Sequence, residues 1–285
     1  MSSSTGSTKR RPDVRRAAVI THGRAETVRE PLARLRAVAQ EQGVELVLPQ
    51  AEVAKHGDGA AGEVSSADLV VVLGGDGTML RALKTFLGTE VPVLGVNFGR
   101  VGFLASVEAD DLEAGVGRAF AGEFEVVELP ALEAWARDES WQAVNDIVVT
   151  SSTLGRMIEL GWSIAGEDLG VVSCDGMICS TPSGSTAYNL SNGGPVLVRG
   201  IDAMAITFIA PHSLEARPLV VPRGAELTVR NATPDVEAAV LVDGHRSGDL
   251  APDRALSIRL GEQRSLLATL PETTFFGRYR ETFTS

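Results

Sequence analysis

The sequence predicts two architectures in one chain: an α/β N-terminal domain built on a parallel, Rossmann-like sheet, then an all-β, sandwich-like domain. Three observations carry this reading. Strand-length apolar runs alternate with helical patterns over roughly the first 110 residues. From about residue 125 short strand-like runs follow one another, separated by turns rich in Gly, Pro, Asp and Asn. The string Gly74–Thr78 (GGDGT) stands between a buried strand and a helix, where open α/β sheets bind ligands.

Residues 1–16 are polar and basic, which predicts a disordered tail. The first strand is Ala17–Thr21, ending at His22–Gly23. Val28, Leu32, Leu35, Val38 and Ala39 lie at helical spacing, so a helix is expected over 26–41 with Gly43 as its stop. Val44–Leu48 reads as a strand, and Asp68–Leu73 as one buried on both faces. A helix over Met79–Leu87 and a strand over Val91–Val96 follow. Right-handed crossovers are expected throughout.

In the second half the expected strands are Leu132–Arg137, Ala143–Thr150, Ile158–Ile164, Leu169–Ser180, Ala203–Ile209, Leu219–Val221, Glu226–Arg230, Ala238–Val242, Ala255–Leu260 and Ser265–Leu270. A long polar stretch, Thr181–Gly194, interrupts them, and such a stretch inside a β domain is functional or disordered. The aromatic-rich Phe275–Phe283 is expected to dock on the first domain. The expected organisation is therefore a tail (1–16), an α/β nucleotide-binding domain (17–125), a β-rich domain (126–270) and a returning C-terminal segment (271–285).

Composition narrows the function classes. With 26 basic against 37 acidic residues the net charge is −11, which argues against nucleic acid as partner. A phosphorylated small molecule is still admissible, because backbone N–H groups or a metal ion make a local anion site in an acidic protein. No apolar run reaches the roughly 18–20 residues of a membrane span. Cys174 and Cys179 read as buried thiols, and with no signal-peptide pattern a cytoplasmic location is expected.

Two motifs carry chemistry. In Gly74–Thr78 the glycines let a backbone approach an anion, the next helix offers free N–H groups, and Thr78 is expected to cap it. Asp76 beside phosphates needs a compensating job: holding Mg²⁺ or accepting a proton from an attacking hydroxyl. The plain alternative is a tight turn with Asp chosen for local hydrogen bonds. The loop is neither a Walker A motif nor GxGxxG. It resembles the loop shared by NAD kinases, diacylglycerol and sphingosine kinases and, more distantly, phosphofructokinases.

The second motif is DGMICSTPSGSTAYNLSNGGP, residues 175–195, dense in hydroxyls, amides and glycine N–H groups that suit a ligand with many hydroxyls and a flat base. Ser185–Leu190 is placed to begin a helix, and Tyr188 to lie against a purine. This string closely resembles the NAD kinase signature, which lipid kinases and phosphofructokinases lack. Further family marks fall in order: VNFGRVGFLA at Val96–Ala105, Asn145–Asp146, Asp175–Gly176, PHSLEARPLVV at Pro211–Val221 and LVDGH at Leu241–His245. The resemblance spans about residues 17–283.

The resemblance implies the following roles. Asp76 matches the catalytic Asp, base for the 2′-hydroxyl of the adenosine ribose. Gly74, Gly75, Gly77 and Thr78 line phosphates, and Arg81 is either a basic residue near substrate or an exposed helix residue. Asn145 and Asp146 match an Asn-Glu pair that holds adenosine, with Asp146 one methylene short of the usual Glu. Arg156 matches a basic substrate position, and Asp175 either a residue reaching NAD in a neighbouring subunit or a turn residue. Ser183, Thr186, Ala187, Tyr188, Asn189, Leu190 and Ser191 match dinucleotide contacts. His245 replaces the family's usual Gln.

The implied reaction is transfer of a phosphoryl group from ATP, with Mg²⁺, to the 2′-hydroxyl of NAD, giving NADP. NAD is expected between the two domains, and a homodimer or homotetramer is implied, with no nucleic-acid or membrane partner. Two rivals stand beside it. A lipid or sugar kinase would share GGDGT but has no use for Thr181–Pro195. A non-catalytic dinucleotide-binding regulator is suggested by Asp146 and His245.

Overall fold

The computed structural model describes residues 12–57, 62–98, 102–213 and 216–284. Residues 1–11 of the expected tail, and residues 99–101 and 214–215 of two family marks, lie outside the described residues. The chain divides into two compact units, one running up to Glu128 and resuming at Leu266, the other Leu129–Ser265.

Unit 1 begins inside the expected tail. Val14 is buried and its N–H donates to the carbonyl of Phe120 (2.8 Å), so a single apolar side chain anchors a stretch whose composition reads as solvated. Strand β1 (Arg16–Thr21) leads into α1 (Ala25–Gln42), which ends at Gly43 in the left-handed conformation that glycine adopts without strain. The elements β2 (Glu45–Val47), α2 (Gln50–His56), β3 (Leu69–Leu73), α3 (Asp76–Thr85), β4 (Val93–Asn97), β5 (Val107–Glu108) and α4 (Leu112–Phe120) follow. The pairs β1–β2, β1–β3, β3–β4 and β4–β5 are parallel. Leu35, Leu69, Val71, Leu94, Leu112 and Phe120 are among the side chains of one closed core.

Helices α2 and α4 were not legible. Two glycines in LEAGVGRAF weaken helical propensity, and tertiary contact compensates: Val107 presses where a Cβ on Gly115 would stand (2.7 Å), and Arg34 of α1 grips Glu113 in a bidentate pair (2.6 Å and 2.6 Å).

Unit 2 holds β6 (Glu125–Ala136, entering from unit 1), β7 (Glu139–Ala143), β8 (Asp146–Ser151), β9 (Ile158–Ile164), β10 (Glu167–Cys174) and β11 (Gly176–Ser180). A short helix α5 (Tyr188–Ser191) precedes β12 (Ala203–Ile209), β13 (Leu219–Pro222), β14 (Leu227–Asn231), β15 (Ala238–Val242), β16 (His245–Leu250) and β17 (Ala255–Thr269). One sheet runs β13-β12-β11-β8-β15-β16, and β10, β9, β14 and the start of β17 pair in another. The pairings of unit 2 are antiparallel. Ile147, Met177 and Val240 of one sheet share a core with Leu160, Val229 and Ile258 of the other: a β-sandwich.

Four expected strands are redrawn. Ala143–Thr150 breaks at Val144–Asn145, and Leu169–Ser180 breaks at Asp175, because at each point the chain passes from one sheet to the other. Ala255–Leu260 and Ser265–Leu270 are one strand. Gly261 reads as a turn, yet a Cβ there would meet Glu133 Cγ at 2.4 Å, so the missing side chain admits a neighbouring strand. The far end of β17 belongs to unit 1, where Leu267 and Ala268 pair in parallel with Val93 and Leu94. The chain closes with α6 (Phe275–Phe283), capped by Thr274 Oγ1 accepting from the Gly277 N–H (3.0 Å).

Candidate functional site

In unit 1 the buried run LVVVL carries β3 straight to Gly74, whose N–H extends the parallel ladder to the carbonyl of Val96 (3.0 Å). Helix α3 then starts at Asp76, three residues before the expected Met79, with Gly75 at its N-cap. Thr78 is therefore not the cap. Its hydroxyl folds back onto Gly74, where a Cβ would lie 2.5 Å away, so Gly74 is required by the chain's own packing.

Gly75 and Gly77 differ. A Cβ on either would meet nothing within 4 Å, and neither has a positive φ. Neither packing among the described residues nor backbone strain asks for glycine there. The requirement points outward, to something that approaches the first turn of α3, whose N–H groups have no intrahelical partner.

Asp76 is exposed, in that same turn. Its carboxylate accepts from the N–H of Phe103 (Oδ2, 3.1 Å) and of Leu104 (Oδ1, 3.4 Å), and it sits at the positive end of the helix dipole. A Cβ on Gly102 would overlap that carboxylate at 2.3 Å. The carboxylate is thus held by two backbone donors while remaining exposed to solvent.

Arg81 is half-exposed and tied down on one side. Its Nη2 donates to the Thr21 carbonyl (2.6 Å) and to Glu52 Oε1 (3.2 Å). Glu52 is buried, and burial alone would raise its pKa. Hydrogen bonds from Lys55 (2.6 Å) and Thr21 (2.6 Å) outweigh burial and hold the carboxyl below its ordinary value. The result is a cationic rim of Lys55 and Arg81 at the carboxyl end of β1.

In unit 2 the polar stretch is a folded turn. Thr181 donates to the Asn145 carbonyl through its N–H (2.9 Å) and to the Val144 carbonyl through its hydroxyl (2.7 Å), and that hydroxyl accepts from the Gly184 N–H (3.0 Å). Gly184 lies so close to Asn145 that a Cβ would stand 2.1 Å from the carbonyl oxygen. The structure thereby brings Asn145 and Asp146 together with Ser183–Thr186. Asn145 Oδ1, Ser180 Oγ and Ser183 Oγ are buried with no hydrogen-bond partner, and such open capacity in a folded protein needs an explanation.

Asp146 is only 5% exposed. Desolvation, reinforced by the charge of Asp243, pushes its carboxyl up to about 7. Sequence reasoning missed Asp243. Its carboxylate accepts from the N–H of Asn145 (2.8 Å) and Val144 (3.3 Å), fixing the backbone that carries the Asn–Asp pair. The available signal was Asp-Gly itself: Asp243 (φ 50°) and Gly244 (φ 79°) form a two-residue hairpin turn, which that dipeptide favours. His245 follows, exposed, its Nδ1 3.0 Å from the Asp243 carbonyl.

Beyond Thr186 (Oγ1 to the Ser183 carbonyl, 3.2 Å) come half-buried Ala187, exposed Tyr188, half-buried Leu190 and exposed Ser191. Asn189 is fully buried, and its amide closes the loop through the carbonyls of Ser185 (3.1 Å) and Pro195 (2.9 Å), so its side chain is structural.

Two expected contacts stand elsewhere. Arg156 lies in the β8–β9 loop, not on a strand edge, and pairs with Asp235 (3.1 Å), both half-exposed. Asp175 is the bend where β10 gives way to β11, and its carbonyl accepts from Thr150 Oγ1 (2.7 Å) and the Ser151 N–H (3.2 Å). Both occupy the far end of the β8–β11 pair from Asn145, on the order of 16 Å at about 3.3 Å per strand residue. The cysteines are free and buried, and burial pushes the Cys174 thiol up to about 12.

Comparison with known proteins matches this geometry. Residues 15–124 fit the model of the ATP-NAD kinase N-terminal domain and residues 144–270 that of the ATP-NAD kinase C-terminal domain. The NAD kinase of Gemmatimonas aurantiaca is 39% identical over 219 residues, 75% of this chain and 76% of that protein. Among solved structures, yeast NADH kinase complexed with NADH shares the fold (TM-score 0.82, 22% identity, 95% of this chain and 88% of that chain). An NAD kinase from Archaeoglobus fulgidus in complex with ATP superposes with TM-score 0.75 at 28% identity, over 94% of this chain and 97% of that one. Two family models that together cover most of the chain, and relatives of this identity over most of their own length, lead to one conclusion: the chain belongs to the ATP-NAD kinase family of enzymes.

Proposed function

We propose that this enzyme transfers the γ-phosphoryl group of ATP to the 2′-hydroxyl of the adenosine ribose of NAD, with Asp76 as general base. The observation that carries the reading is the pair Gly75 and Gly77, which no contact among the described residues requires, flanking a carboxylate held by two backbone N–H groups. Open glycines admit the triphosphate to the first turn of α3, and Asp76 removes the proton as the new O–P bond forms. Arg81 and Lys55 supply positive charge at the neighbouring strand end. ATP as donor is supported by the solved Archaeoglobus fulgidus NAD kinase, which is in complex with ATP.

Among the described residues no group of three or more His, Cys, Asp or Glu side chains forms a cage for a metal ion. That fits a magnesium ion held mainly by substrate phosphates, whose charge it neutralises when bound. In unit 2 the open groups of Asn145, Ser180 and Ser183, with Asp146, take the adenosine end of NAD; Thr186, Ala187, Tyr188, Leu190 and Ser191 extend that surface, and His245 borders it. Arg156 and Asp175 act on NAD bound to a second copy, which makes the working enzyme a homodimer or homotetramer. The cytoplasmic location that the sequence suggests is part of this reading.

The experiment is direct: purified protein with NAD, Mg²⁺ and ATP, other triphosphates or polyphosphate in turn, scored for NADP, with NADH as competing acceptor. NADP formed with ATP supports the reading. Tight NAD binding without any NADP leaves a non-catalytic dinucleotide-binding regulator instead.

A further inference from the structure

Asp76 is held by a segment with no secondary structure of its own. Residues 102–106 lie between β4 and β5 and belong to neither strand, yet they carry the N–H groups of Phe103 and Leu104 that grip the carboxylate. Among the described residues, contacts from the other end of the chain bear on this segment.

The ring of Phe103 is packed between Phe275 and Phe283 of α6, with centroids 5.8 Å from each, and Tyr279 backs Phe283 at 4.9 Å. Arg278 is buried and donates from Nη2 to the Ala105 carbonyl (3.0 Å) and from Nη1 to Glu108 (2.8 Å). Thr273 donates to the Ser106 carbonyl (3.2 Å), and Ser106 donates to that of Ala268 (3.2 Å). On the opposite side, Ala105 presses on β4 where a Cβ on Gly95 would stand 2.9 Å from its Cα. Residues 103–108 are therefore clamped by side chains and backbone from 268–283.

We propose that the C-terminal helix α6 is a positioning element for catalysis: through Phe103 and Arg278 it sets the backbone donors that aim the Asp76 carboxylate. This rests on the reading of Asp76 as base. Aromatic packing and a buried guanidinium are short-range, steep restraints, and a carboxylate displaced by about 1 Å from its productive geometry loses roughly 10²-fold in turnover. Arg278 and Phe283 touch no reacting atom in this scheme, so they are positioning residues.

The test uses the full chain and the variants Phe283→Ala, Arg278→Ala and Arg278→Lys, with Arg280→Ala as control, since Arg280 is an exposed residue of the same helix outside the aromatic cluster. Expected are kcat falling roughly tenfold to 10²-fold for the two alanine variants at α6, with KM for NAD and ATP within about twofold. Arg278→Lys recovers part of the loss, and Arg280→Ala matches wild type. In an Asp76→Asn background the same changes cause no further loss, because the helix acts only through that carboxylate. Hydrogen exchange supplies a readout independent of turnover: the amides of Phe103 and Leu104 exchange faster in Phe283→Ala and Arg278→Ala. Undiminished kcat, or equal losses with and without Asp76, overturns the catalytic role of α6. Unchanged exchange at the two amides overturns the clamp itself. If Asp76→Asn alone keeps wild-type turnover, it is the base assignment that fails, and the exchange measurement still decides the clamp.

Discussion

Two carboxylates of this enzyme stand in contrasting surroundings. Asp76 is exposed and receives two N–H donors at a helix N-terminus. Asp146 is almost fully buried, and its nearest influential charge is another carboxylate. Replacing Asp76 by Asn is expected to lower kcat by roughly 10²–10⁴-fold while calorimetric NAD affinity stays near wild type. Turnover close to wild type would remove Asp76 from the chemistry. For Asp146 the folded pKa is about 7 against an ordinary 3.8, so the folded state keeps a proton that the unfolded chain releases. The stability this contributes is complete below about pH 4 and is lost as pH rises toward 7, by no more than roughly 4 kcal/mol. Thermal melts of Asp146→Asn against wild type should therefore diverge across that window, the variant gaining relative stability as pH rises. Parallel curves would mean that Asp146 is solvated.

Among elements, the strand–loop–helix unit β3–α3 makes the sharpest statement. Gly77 lies in the first turn of α3, with open space beside it and an ordinary φ. Alanine there should leave Tm unchanged or raise it, since glycine inside a helix costs roughly 0.5–1 kcal/mol relative to alanine. The same substitution should raise KM for ATP at least tenfold, because the new methyl stands where a phosphate must approach. A normal KM with a normal melt would show that no ligand meets that turn. Position 74 is the counter-example on the same loop: there the missing side chain accommodates Thr78. One motif thus holds glycines of two kinds, and only the surrounding atoms tell them apart.

The assembled molecule raises the question of what a single copy lacks. Asp175 and Arg156 stand at the far end of the β8–β11 pair from Asn145 and Asp146. If they serve a neighbouring copy, Asp175→Asn and Asn145→Ala should each depress turnover, and the two co-expressed should restore activity. Randomly paired dimers would regain roughly a quarter of wild-type turnover, since half are mixed and each mixed dimer has one intact site. Size-exclusion chromatography should show a dimer or larger. A monomer with full activity, or no recovery in the mixture, would confine Asp175 to its bend.

Most of the fold was legible because the patterns are local. The five buried residues of β3 form an unbroken apolar run, and the apolar spacing of α1 together with Gly43 marks that helix from sequence alone. The strings Gly74–Thr78 and Thr181–Pro195 likewise mark the family through their resemblance to NAD kinase motifs. Whatever depended on partners distant in sequence was not legible. The burial of Val14 depends on Phe120, the continuity of β17 on Glu133 beside Gly261, and the placement of Asn145 on Asp243, 98 residues later. The sequence by itself determined most of the order of elements, through periodicity and side-chain type, and the family, through motifs that resemble those of NAD kinases. Only the tertiary structure decided which groups are buried without partners, which carboxylate is held by backbone donors, and that residues 268–283 return to hold Phe103 and Ala105. Burial and electrostatic environment belong to contacts in space, and contacts between distant residues leave no period in a chain.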